Sequence, residues 1–374
     1  MKVLMLGRSD LFSSGGGDKV QIDNTADELR KLGIDVDIDV SSAKTDFSKY
    51  DIVHVFQLDW VLDTYFHINN AKRVGKPVVF SPIHHSVKEV KKFDDEYVFD
   101  LRRVSKYLFK DQFKRDTFKN LYRTLFDSKL VKPFLYSVVK GFKNMHREML
   151  RMSDIILVQT ELEAKDLMET YKINFKWVKI PNGVGNVFLG NVGFKNPFDF
   201  KDYVICVGRI EARKNQLKII EAVKKFRDHK NIDVRLVFIG KKSTKKHFEY
   251  VHRFNIELQK NPWIIYIEQV PYEQIPSYYH FAKVGISASW FETTGLTSLE
   301  ALLVGTNAVA CGERAKEYLG RYASYCRPDN VDSIYEALIN EYFAGRPKLP
   351  SDIINTYTWR NAAIKTLEVY KGLV

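Results

Sequence analysis

Residues 284–301, VGISASWFETTGLTSLEA, indicate the fold class of this 374-residue chain. The apolar run at 284–289 predicts a β-strand, and the apolar pattern after Gly295 predicts a helix. Glu292 would then lie at the carboxyl end of a strand, and Glu300 inside the next helix. Ligands of open α/β sheets bind at this edge, and the N–H groups and positive dipole end of a helix start suit a phosphate. The two carboxylates could bind hydroxyl groups at both ends of a nucleotide sugar, although an acidic residue near a helix start is common without any ligand.

Length and composition are those of an ordinary folded protein with about two domains. Apolar residues make up 45% of the chain and charged residues 28%. No apolar run approaches the ~18 residues that a membrane span needs, and the start, MKVLMLGR, is charged too early for a signal peptide and predicts a first strand.

Cys206, Cys311 and Cys326 are scattered and fit a reducing cytosol. The apolar surroundings of Cys206 and Cys311 are typical of buried, inert thiols. We expect a cytoplasmic protein, either free in the cytosol or peripheral on the inner face of a membrane.

The formal net charge of +12 is concentrated in one stretch of the chain. Residues 86–151 contain 17 Lys and Arg against 9 Asp and Glu. Such an excess predicts an anionic partner, namely acidic lipid headgroups, nucleic acid or a phosphorylated substrate. Nucleic acid is disfavoured because no known reader motif accompanies the charge.

The stretch 86–150 is also permissive for helices and rich in aromatic residues. These are Phe93, Tyr97, Phe99, Tyr107, Phe109, Phe113, Phe118, Tyr122, Phe126, Phe134, Tyr136 and Phe142. One hypothesis is an insertion that docks on an acidic membrane surface, with rings in the lipid interface and Lys and Arg on the headgroups. The other is a helical subdomain whose rings form its own core beneath a basic surface. The sequence does not separate the two.

Strand-like and helix-like segments alternate in both halves of the chain, which predicts βαβ units and parallel sheets. The predicted strands are 3–6, 34–40, 51–56, 77–80 and 155–158 in the first half, and 203–208, 234–240, 263–267, 284–288 and 306–310 in the second. A Gly- and Asn-rich break at 182–186 separates the halves. We therefore predict an α/β protein with two doubly wound domains, 1–186 and 187–355, and a basic helical insertion in the first.

A glycine run, Gly15-Gly16-Gly17, separates the first strand from a predicted helix at 18–32. Glycines let backbone N–H groups approach a phosphate closely. The spacing differs from Gly-x-Gly-x-x-Gly, so it gives little support to a nicotinamide-binding fold. A plain flexible loop is the alternative.

A second candidate anion site is 208–215, GRIEARKN, which lies between a strand and a helix. Arg209 and Lys214 could hold a diphosphate, Arg through its planar fork and Lys through a compact charge. Cations already in place would stabilise the charge that builds up on a departing nucleoside diphosphate. The alternative is a solvated basic turn.

Two histidines, His84 and His85, follow the predicted strand at 77–80. In a cleft, either ring could hydrogen-bond sugar hydroxyls or reacting atoms, and either could equally be a structural histidine. A metal site is not expected, because no third or fourth ligand at suitable spacing accompanies them. A serine hydrolase is disfavoured, because the chain lacks a Gly-x-Ser-x-Gly elbow.

Together these segments resemble the retaining GT-B glycosyltransferases of family 4. The resemblance is carried by Val207-Gly208-Arg209 with Lys214, and by Phe291-Glu292-Thr293-Thr294-Gly295-Leu296 with Glu300-Ala301. Supporting segments are 153–158 (SDIILV), 181–184 (PNGV), 275–279 (IPSYY) and the closing helix at 359–370. The resemblance runs through most of the chain, and it is strongest over 203–311 and weakest across 86–150.

The resemblance implies two Rossmann-like domains that face a central cleft, with the final helix, 356–374, returning to the first domain. It implies transfer of a sugar from a nucleotide-sugar donor, expected to be a UDP- or GDP-sugar, to a glycan or lipid-linked acceptor. The anomeric configuration would be retained, and neither a metal nor another cofactor would be essential. Synthesis of a surface polysaccharide or glycolipid fits this chemistry.

The same likeness implies a role for each candidate residue. The donor diphosphate would be held by Arg209 and Lys214, the backbone N–H groups of Leu296 and Thr297, and the loop at Gly16 and Gly17. Glu300 would bind the ribose, and Glu292 would bind the donor sugar. The base would lie against the backbone at Gly240, Lys241, Ile267 and Glu268. The catalytic candidates are then Glu292, His84, His85, Arg209 and Lys214.

Two positions depart from the family pattern. The family usually follows its histidine with Asp, whereas 84–86 reads His-His-Ser, so the choice between the two histidines stays open. Thr294 stands where an aromatic residue is common, which affects the packing of the donor sugar.

Two other hypotheses for the function are a nucleotide-sugar-binding protein without turnover and a nucleotide-sugar epimerase of GT-B form.

Overall fold

The computed structural model describes residues 1–14, 16–43, 45–96, 106–124, 131–190, 193–243 and 247–374. Gly15, Tyr97, Phe99 and Phe126, which were singled out above, lie outside these residues. The chain divides into two compact units. Unit 1 consists of Met1–Val87, Ser105–Gly183 and Thr356–Val374, and unit 2 consists of Lys88–Val104 and Val184–Asn355.

Unit 1 is built on a sheet of six parallel strands in the order β2-β1-β3-β4-β5-β6. The strands are β1 (Lys2–Leu6), β2 (Asp35–Asp39), β3 (Ile52–Phe56), β4 (Val78–Ser81), β5 (Ile155–Val158) and β6 (Trp177–Lys179). The helices described in this unit are α1 (Leu11–Ser14), α2 (Gly17–Lys31), α3 (Val61–Arg73), α5 (Gln112–Thr124), α6 (Val131–Lys140), α7 (Phe142–Met152), α8 (Glu161–Tyr171) and α16 (Trp359–Lys371).

Unit 2 also has six parallel strands, in the order β12-β11-β10-β7-β8-β9. The strands are β7 (Tyr203–Val207), β8 (Leu236–Ile239), β9 (Ile264–Ile267), β10 (Ala282–Ile286), β11 (Asn307–Cys311) and β12 (Ser324–Cys326). Its described helices are α4 (Val87–Glu96), α9 (Gln216–Lys230), α10 (Phe248–Lys260), α11 (Ile275–His280), α12 (Leu296–Leu303), α13 (Glu313–Leu319), α14 (Val331–Phe343) and α15 (Ser351–Thr356).

The predicted α/β class with two doubly wound sheets is confirmed. Strands of a parallel sheet are covered on both faces, so the central ones are continuous apolar runs that a sequence pattern reveals. Every residue of β3 and β8 is buried. The edge strands β6 and β12 were not predicted, because three residues give too short a pattern.

Helix α4 differs from its predicted place. The sequence assigned the whole insertion, 86–150, to the first domain, whereas α4 from Lys88 onward belongs to unit 2. The buried ring of Phe93 anchors it, with centroid distances of 5.9 Å to Trp290 and 5.6 Å to Phe291. Lys92 adds an ion pair with Asp329 at 2.6 Å.

The rest of the described insertion, α5 to α7, belongs to unit 1. Phe134 and Phe142 are buried in its core, and the half-buried Phe113 packs near His146 and Tyr171. These rings therefore join the core that covers the sheet of unit 1, whereas the second hypothesis for this stretch expected a separate core of the insertion itself. No helix in the described part of the chain is both long and apolar enough to span a bilayer.

The closing helix α16 packs on unit 1. Its buried Tyr370 hydroxyl lies 2.6 Å from Nδ1 of His54 in β3. The other ring nitrogen of His54 lies 2.8 Å from the Ser81 hydroxyl, and burial lowers the pKa of His54 to about 3, so the ring is neutral. The segment before α16 passes against Gly183, where an added Cβ would lie 2.1 Å from the backbone nitrogen of Trp359. Only glycine fits at this crossing.

Candidate active site

The strand order of unit 2 reverses between β7 and β10. The chain proceeds from β7 outward to β8 and β9, and then returns to place β10 on the other side of β7. The loops that follow these two strands diverge, and the crevice they leave is where open α/β sheets bind ligands. The predicted residues Lys214 and Glu292 lie on these loops.

The turn that carries Lys214 is fixed by Asn215. A short 3-10 turn, Ala212–Lys214, ends at Asn215, which has a left-handed backbone (φ 63) that asparagine tolerates better than most residues. The buried Asn215 amide donates to the carbonyl groups of Ala288 (3.0 Å) and Pro328 (2.8 Å). In addition, the backbone N–H of Trp290 donates to the Arg213 carbonyl at 2.9 Å. The loops after β7 and β10 are thereby joined directly.

Lys214 and Glu292 form an ion pair across these loops. The Lys214 ammonium lies 2.5 Å from Oε1 of Glu292, and each side chain is 16% exposed. Burial by itself would raise the pKa of Glu292, but Lys214 and Arg213 outweigh it and hold the pKa at about 2. The carboxylate is therefore ionised at any physiological pH, and two predicted site residues are brought together.

Arg213 is a member of this cluster that the sequence reasoning missed. Its Nη1 lies 4.0 Å from Oε2 of Glu292, and its Nη2 lies 3.1 Å from Glu211. Its guanidinium also lies 5.5 Å from the ring centroid of Phe291. Burial would lower the pKa of Arg213, but Glu292 and Glu211 raise it. The signal was present in the run of two cations, Arg213-Lys214, of which only the second was chosen.

The other predicted diphosphate ligands of unit 2 lie at the same edge of its sheet. Arg209 follows β7 directly, and its side chain is exposed. Helix α12 begins after Gly295, whose left-handed backbone (φ 91) ends the loop that starts with Glu292. Because the N-cap residue is Gly295, it has no side chain that could cap this helix start. The N–H groups of Leu296 and Thr297 belong to its first turn, where backbone donors lack partners within the helix.

Glu300 lies on the second turn of α12 and is half-buried. Loss of water around the carboxyl raises the pKa of Glu300 to about 8, and the attraction of Lys214 opposes this only in part. At neutral pH the carboxyl therefore holds its proton. In that state it can both donate a hydrogen bond to a hydroxyl group and accept one.

The proposed base-binding residues follow β8 and β9, which are neighbours in the sheet. A Cβ on Gly240 would lie 2.1 Å from the Gly208 carbonyl oxygen, so only glycine allows this approach of the two loops. The Gly240 N–H donates to the Ile267 carbonyl at 3.0 Å, and its carbonyl accepts from the Tyr266 hydroxyl at 3.1 Å. The exposed Lys241 and Glu268 are the accessible members of this set.

In unit 1, Gly16 and Gly17 lie at the start of α2. Gly16 is the N-cap residue of the helix, with φ 138, and has no side chain that could cap it. Sequence reasoning missed Arg8, whose buried guanidinium donates to Asp18 and lies 5.1 Å from the ring centroid of Trp60. A Cβ on Gly16 would lie 3.2 Å from Nη2 of Arg8. The sequence did contain a sign of this role. Gly7-Arg8 follows β1 in the same way as Gly208-Arg209 follows β7.

The two histidines of unit 1 differ in environment. The ring of His84 is only 1% exposed, with Nδ1 3.5 Å from Asp59 and Nε2 3.4 Å from Asp166. His85 is half-buried and is the more accessible of the two. Ile83 just before them has φ 46, a strained value for a β-branched residue. Strain of this kind clusters at functional sites.

No group of three or more His, Cys, Asp or Glu side chains in the described residues is arranged to hold a metal ion.

The buried thiols of Cys311 and Cys326 were not expected to be neighbours, but their sulfur atoms are 3.0 Å apart. They are register partners on β11 and β12, and Cys206 is buried as well.

Comparison with known proteins adds independent findings. Residues 193–341 match the family model of glycosyl transferases group 1. An uncharacterized glycosyltransferase of Methanocaldococcus jannaschii is 25% identical over 214 residues, which are 54% of this chain and 50% of the relative. The O-antigen chain mannosyltransferase B of Escherichia coli is 24% identical over 185 residues, which are 46% of this chain and 47% of that protein. The chain thus spans about half the length of the curated relatives it matches.

Solved structures share the fold along the whole chain. Sucrose-phosphate synthase of Thermosynechococcus elongatus superposes with a TM-score of 0.71 at 13% identity, covering 100% of this chain and 99% of that chain. The Anabaena protein HepE, solved with UDP and glucose, gives a TM-score of 0.65 at 11% identity and covers 100% of both chains. At such identities the likeness concerns the fold alone.

Proposed function

We propose that the chain transfers a sugar from a nucleotide-sugar donor to a glycan or lipid-linked acceptor, because residues 193–341 match the family model of glycosyl transferases group 1 and the fold is that of GT-B enzymes. The proposal rests on the ion pair of Lys214 and Glu292 at the strand-order reversal of unit 2, beside the uncapped start of α12. The HepE structure with UDP and glucose supports a nucleotide-sugar donor. The similarity to an O-antigen chain mannosyltransferase supports a role in surface polysaccharide or glycolipid synthesis.

The donor diphosphate would be bound by cations and backbone donors of unit 2. Arg209 and Lys214 supply positive charge, and the first N–H groups of α12 supply hydrogen bonds and the positive end of its dipole. The diphosphate gains negative charge as its bond to the sugar breaks, so these groups stabilise the transition state more than the bound donor. Gly16 and Gly17, with the neighbouring Arg8, form a second anion-binding feature of unit 1 that would serve the phosphates or the acceptor.

Two acidic residues would bind the remaining parts of the donor. Glu292 is held ionised and accepts hydrogen bonds from the hydroxyl groups of the donor sugar. Arg213 keeps that carboxylate charged when Lys214 interacts with a diphosphate, because it lies on the opposite carboxylate oxygen. Glu300, proton-bearing at neutral pH, pairs with the ribose hydroxyl groups. The accessible Lys241 and Glu268 would contact the base of a UDP- or GDP-sugar.

The reaction proposed for this site retains the anomeric configuration. The bond between the sugar carbon and the diphosphate oxygen breaks, and the acceptor hydroxyl attacks the same face of an oxocarbenium-like sugar. The leaving phosphate oxygen takes the proton of that hydroxyl, so no protein nucleophile is required. The protein contributes positioning and charge stabilisation. The accessible His85 would contact the sugar or the acceptor, and Arg209 and Lys214 would balance the charge of the diphosphate without a metal ion.

A donor screen followed by product analysis tests the proposal. UDP- and GDP-sugars are first compared by thermal shift, because a ligand that binds the folded state raises its melting temperature. The stabilising donor is then incubated with and without a sugar acceptor, and the anomer of the product is read by NMR. The proposal expects a new glycosidic bond with the donor's anomeric configuration. An inverted product would reject retention, an epimerised donor would indicate an epimerase, and binding without turnover or hydrolysis would indicate a non-catalytic protein.

A further inference from the structure

Helix α6 (Val131–Lys140) has apolar residues both on its buried side and on its exposed side. Phe134 and Ser137 are buried on the side that faces the core of unit 1. Leu135, Val138 and Val139 are exposed by 60%, 56% and 91%. Their spacing of three and four residues places the three side chains together on one face of the helix. We call these three residues the α6 stripe.

The α6 stripe differs from ordinary surface hydrophobic residues. A single exposed apolar side chain is normal, whereas a contiguous apolar patch marks a surface that is covered when the protein works. The exposed Val20, Val74 and Phe248 lie far apart in the sequence, and Tyr107 and Leu108 form a second exposed pair within the same insertion. A helix of ten residues is too short to cross a bilayer but can lie in its interface.

Positive charge is in excess in the sequence around the α6 stripe. The described residues 106–124 and 131–150 contain ten Lys and Arg against three Asp and Glu. The exposed Lys143 follows the helix, and its ammonium lies 5.6 Å from the ring centroid of Phe113. Lys140 ends the helix beside the exposed Tyr136, but its ammonium pairs with Glu148 at 2.5 Å, so this lysine adds little net charge to the surface. An apolar stripe beside lysines and a tyrosine is complementary to an anionic lipid interface.

We propose that the α6 stripe docks the protein on an anionic lipid bilayer, with its three aliphatic side chains among the headgroups and nearby lysines on the lipid phosphates. A nucleic acid would leave the aliphatic face unpaired, because its backbone offers charge alone. The inference deepens the proposed function, since a lipid-linked acceptor would be present at the same surface. Docking itself requires neither donor nor acceptor. Of the aromatic rings named from the sequence, Phe93, Phe134 and Phe142 are buried, whereas the aliphatic residues of the α6 stripe would meet the lipid.

Vesicle binding of the full chain tests the proposal. Cosedimentation is measured with vesicles of phosphatidylglycerol and phosphatidylcholine in equal parts, and with vesicles of phosphatidylcholine alone. The wild type should bind the anionic vesicles and bind the neutral ones at least about tenfold more weakly, and added salt should weaken binding. Val139→Asp and Leu135→Asp should each lower the partition coefficient about tenfold. Phe248→Asp is the matched control, because Phe248 is 75% exposed on α10 of unit 2, and it should bind like the wild type.

Each contrary outcome overturns the proposal. Equal binding to both vesicle types, or unchanged binding of Val139→Asp, removes the α6 stripe as an anionic-lipid surface. A wild-type dimer that becomes monomeric in Val139→Asp, seen by sedimentation velocity without vesicles, assigns the stripe to contact between chains. Melting temperatures confirm that the variants fold. Transfer to a soluble acceptor, which Val139→Asp should support at the wild-type rate, separates failure of docking from failure of the proposed glycosyl transfer.

Discussion

Replacement of Glu300 by Gln is predicted to change how the stability of the protein depends on pH. Burial raises the pKa of Glu300 from an ordinary value of 4.5 to about 8 in the folded protein. Between these pH values the folded carboxyl is protonated and the unfolded carboxyl is not. The folded state therefore binds more protons, and the free energy of unfolding of the wild type falls as pH rises through this window.

The size of the effect follows from the two pKa values. At about 1.4 kcal/mol per pH unit, the interval from 4.5 to about 8 corresponds to at most about 5 kcal/mol above pH 8. Solvent that still reaches the half-buried carboxyl screens part of this cost, so we expect about 2 to 3 kcal/mol. Glu300→Gln keeps the shape but cannot ionise. It should be as stable as the wild type near pH 4 and more stable by that amount near pH 9.

Urea unfolding of the ligand-free protein at a series of pH values measures this difference. Glu221→Gln serves as the control, because Glu221 is an exposed residue of α9 and its replacement should shift neither curve. Parallel stability curves for wild type and Glu300→Gln would refute the reasoning, because they would show that the carboxyl is solvated and titrates near its ordinary pKa.

Three further predictions concern the carboxylate of Glu292, the packing of Gly240 and the role of metal ions. Arg213→Met should lower kcat about tenfold, because Glu292 loses one of its two cations; an unchanged kcat would remove Arg213 from the positioning of Glu292. Gly240→Ala should lower the free energy of unfolding by about 3 kcal/mol or more, measured by urea unfolding, because its Cβ would meet the Gly208 carbonyl at 2.1 Å; a variant as stable as the wild type would contradict that packing. Transfer activity should be the same in EDTA as in added Mg²⁺, and loss of activity in EDTA that Mg²⁺ restores would show that a metal shares the diphosphate.

Much of the fold could be predicted because central parallel strands must be apolar on both faces. The pattern placed strands at 203–208 and 51–56, close to the observed Tyr203–Val207 and Ile52–Phe56. Strand ends in such sheets share one edge, so residues that follow neighbouring strands are brought together. Lys214 and Glu292 were assigned to one donor site in this way, but the ion pair between them was not predicted.

Other features depend on register between distant parts of the chain, which local patterns do not encode. The contact of Cys311 with Cys326 arises from the pairing of β11 with β12. The docking of Phe93 beside Trp290 joins segments almost two hundred residues apart, so its ring looked like any other in the insertion.

The sequence pattern also does not show which face of a helix is buried when both faces are apolar. In α6, Phe134 and its neighbours Leu135 and Val139 are all apolar, so periodicity could not tell the buried face from the exposed one. The burial of His84 between two carboxylates could not be predicted either. It depends on the positions of Asp59, in the loop after β3, and of Asp166, on α8.

The central claim is that unit 2 binds the donor diphosphate through Lys214. The most direct measurement compares steady-state transfer by Lys214→Ala with that by Lys224→Ala, an exposed lysine of α9 that loses the same charge. We predict that kcat of Lys214→Ala falls about 10²-fold or more while Lys224→Ala keeps the wild-type value. Near-normal turnover in Lys214→Ala, with the fold intact by its melting temperature, would contradict the account.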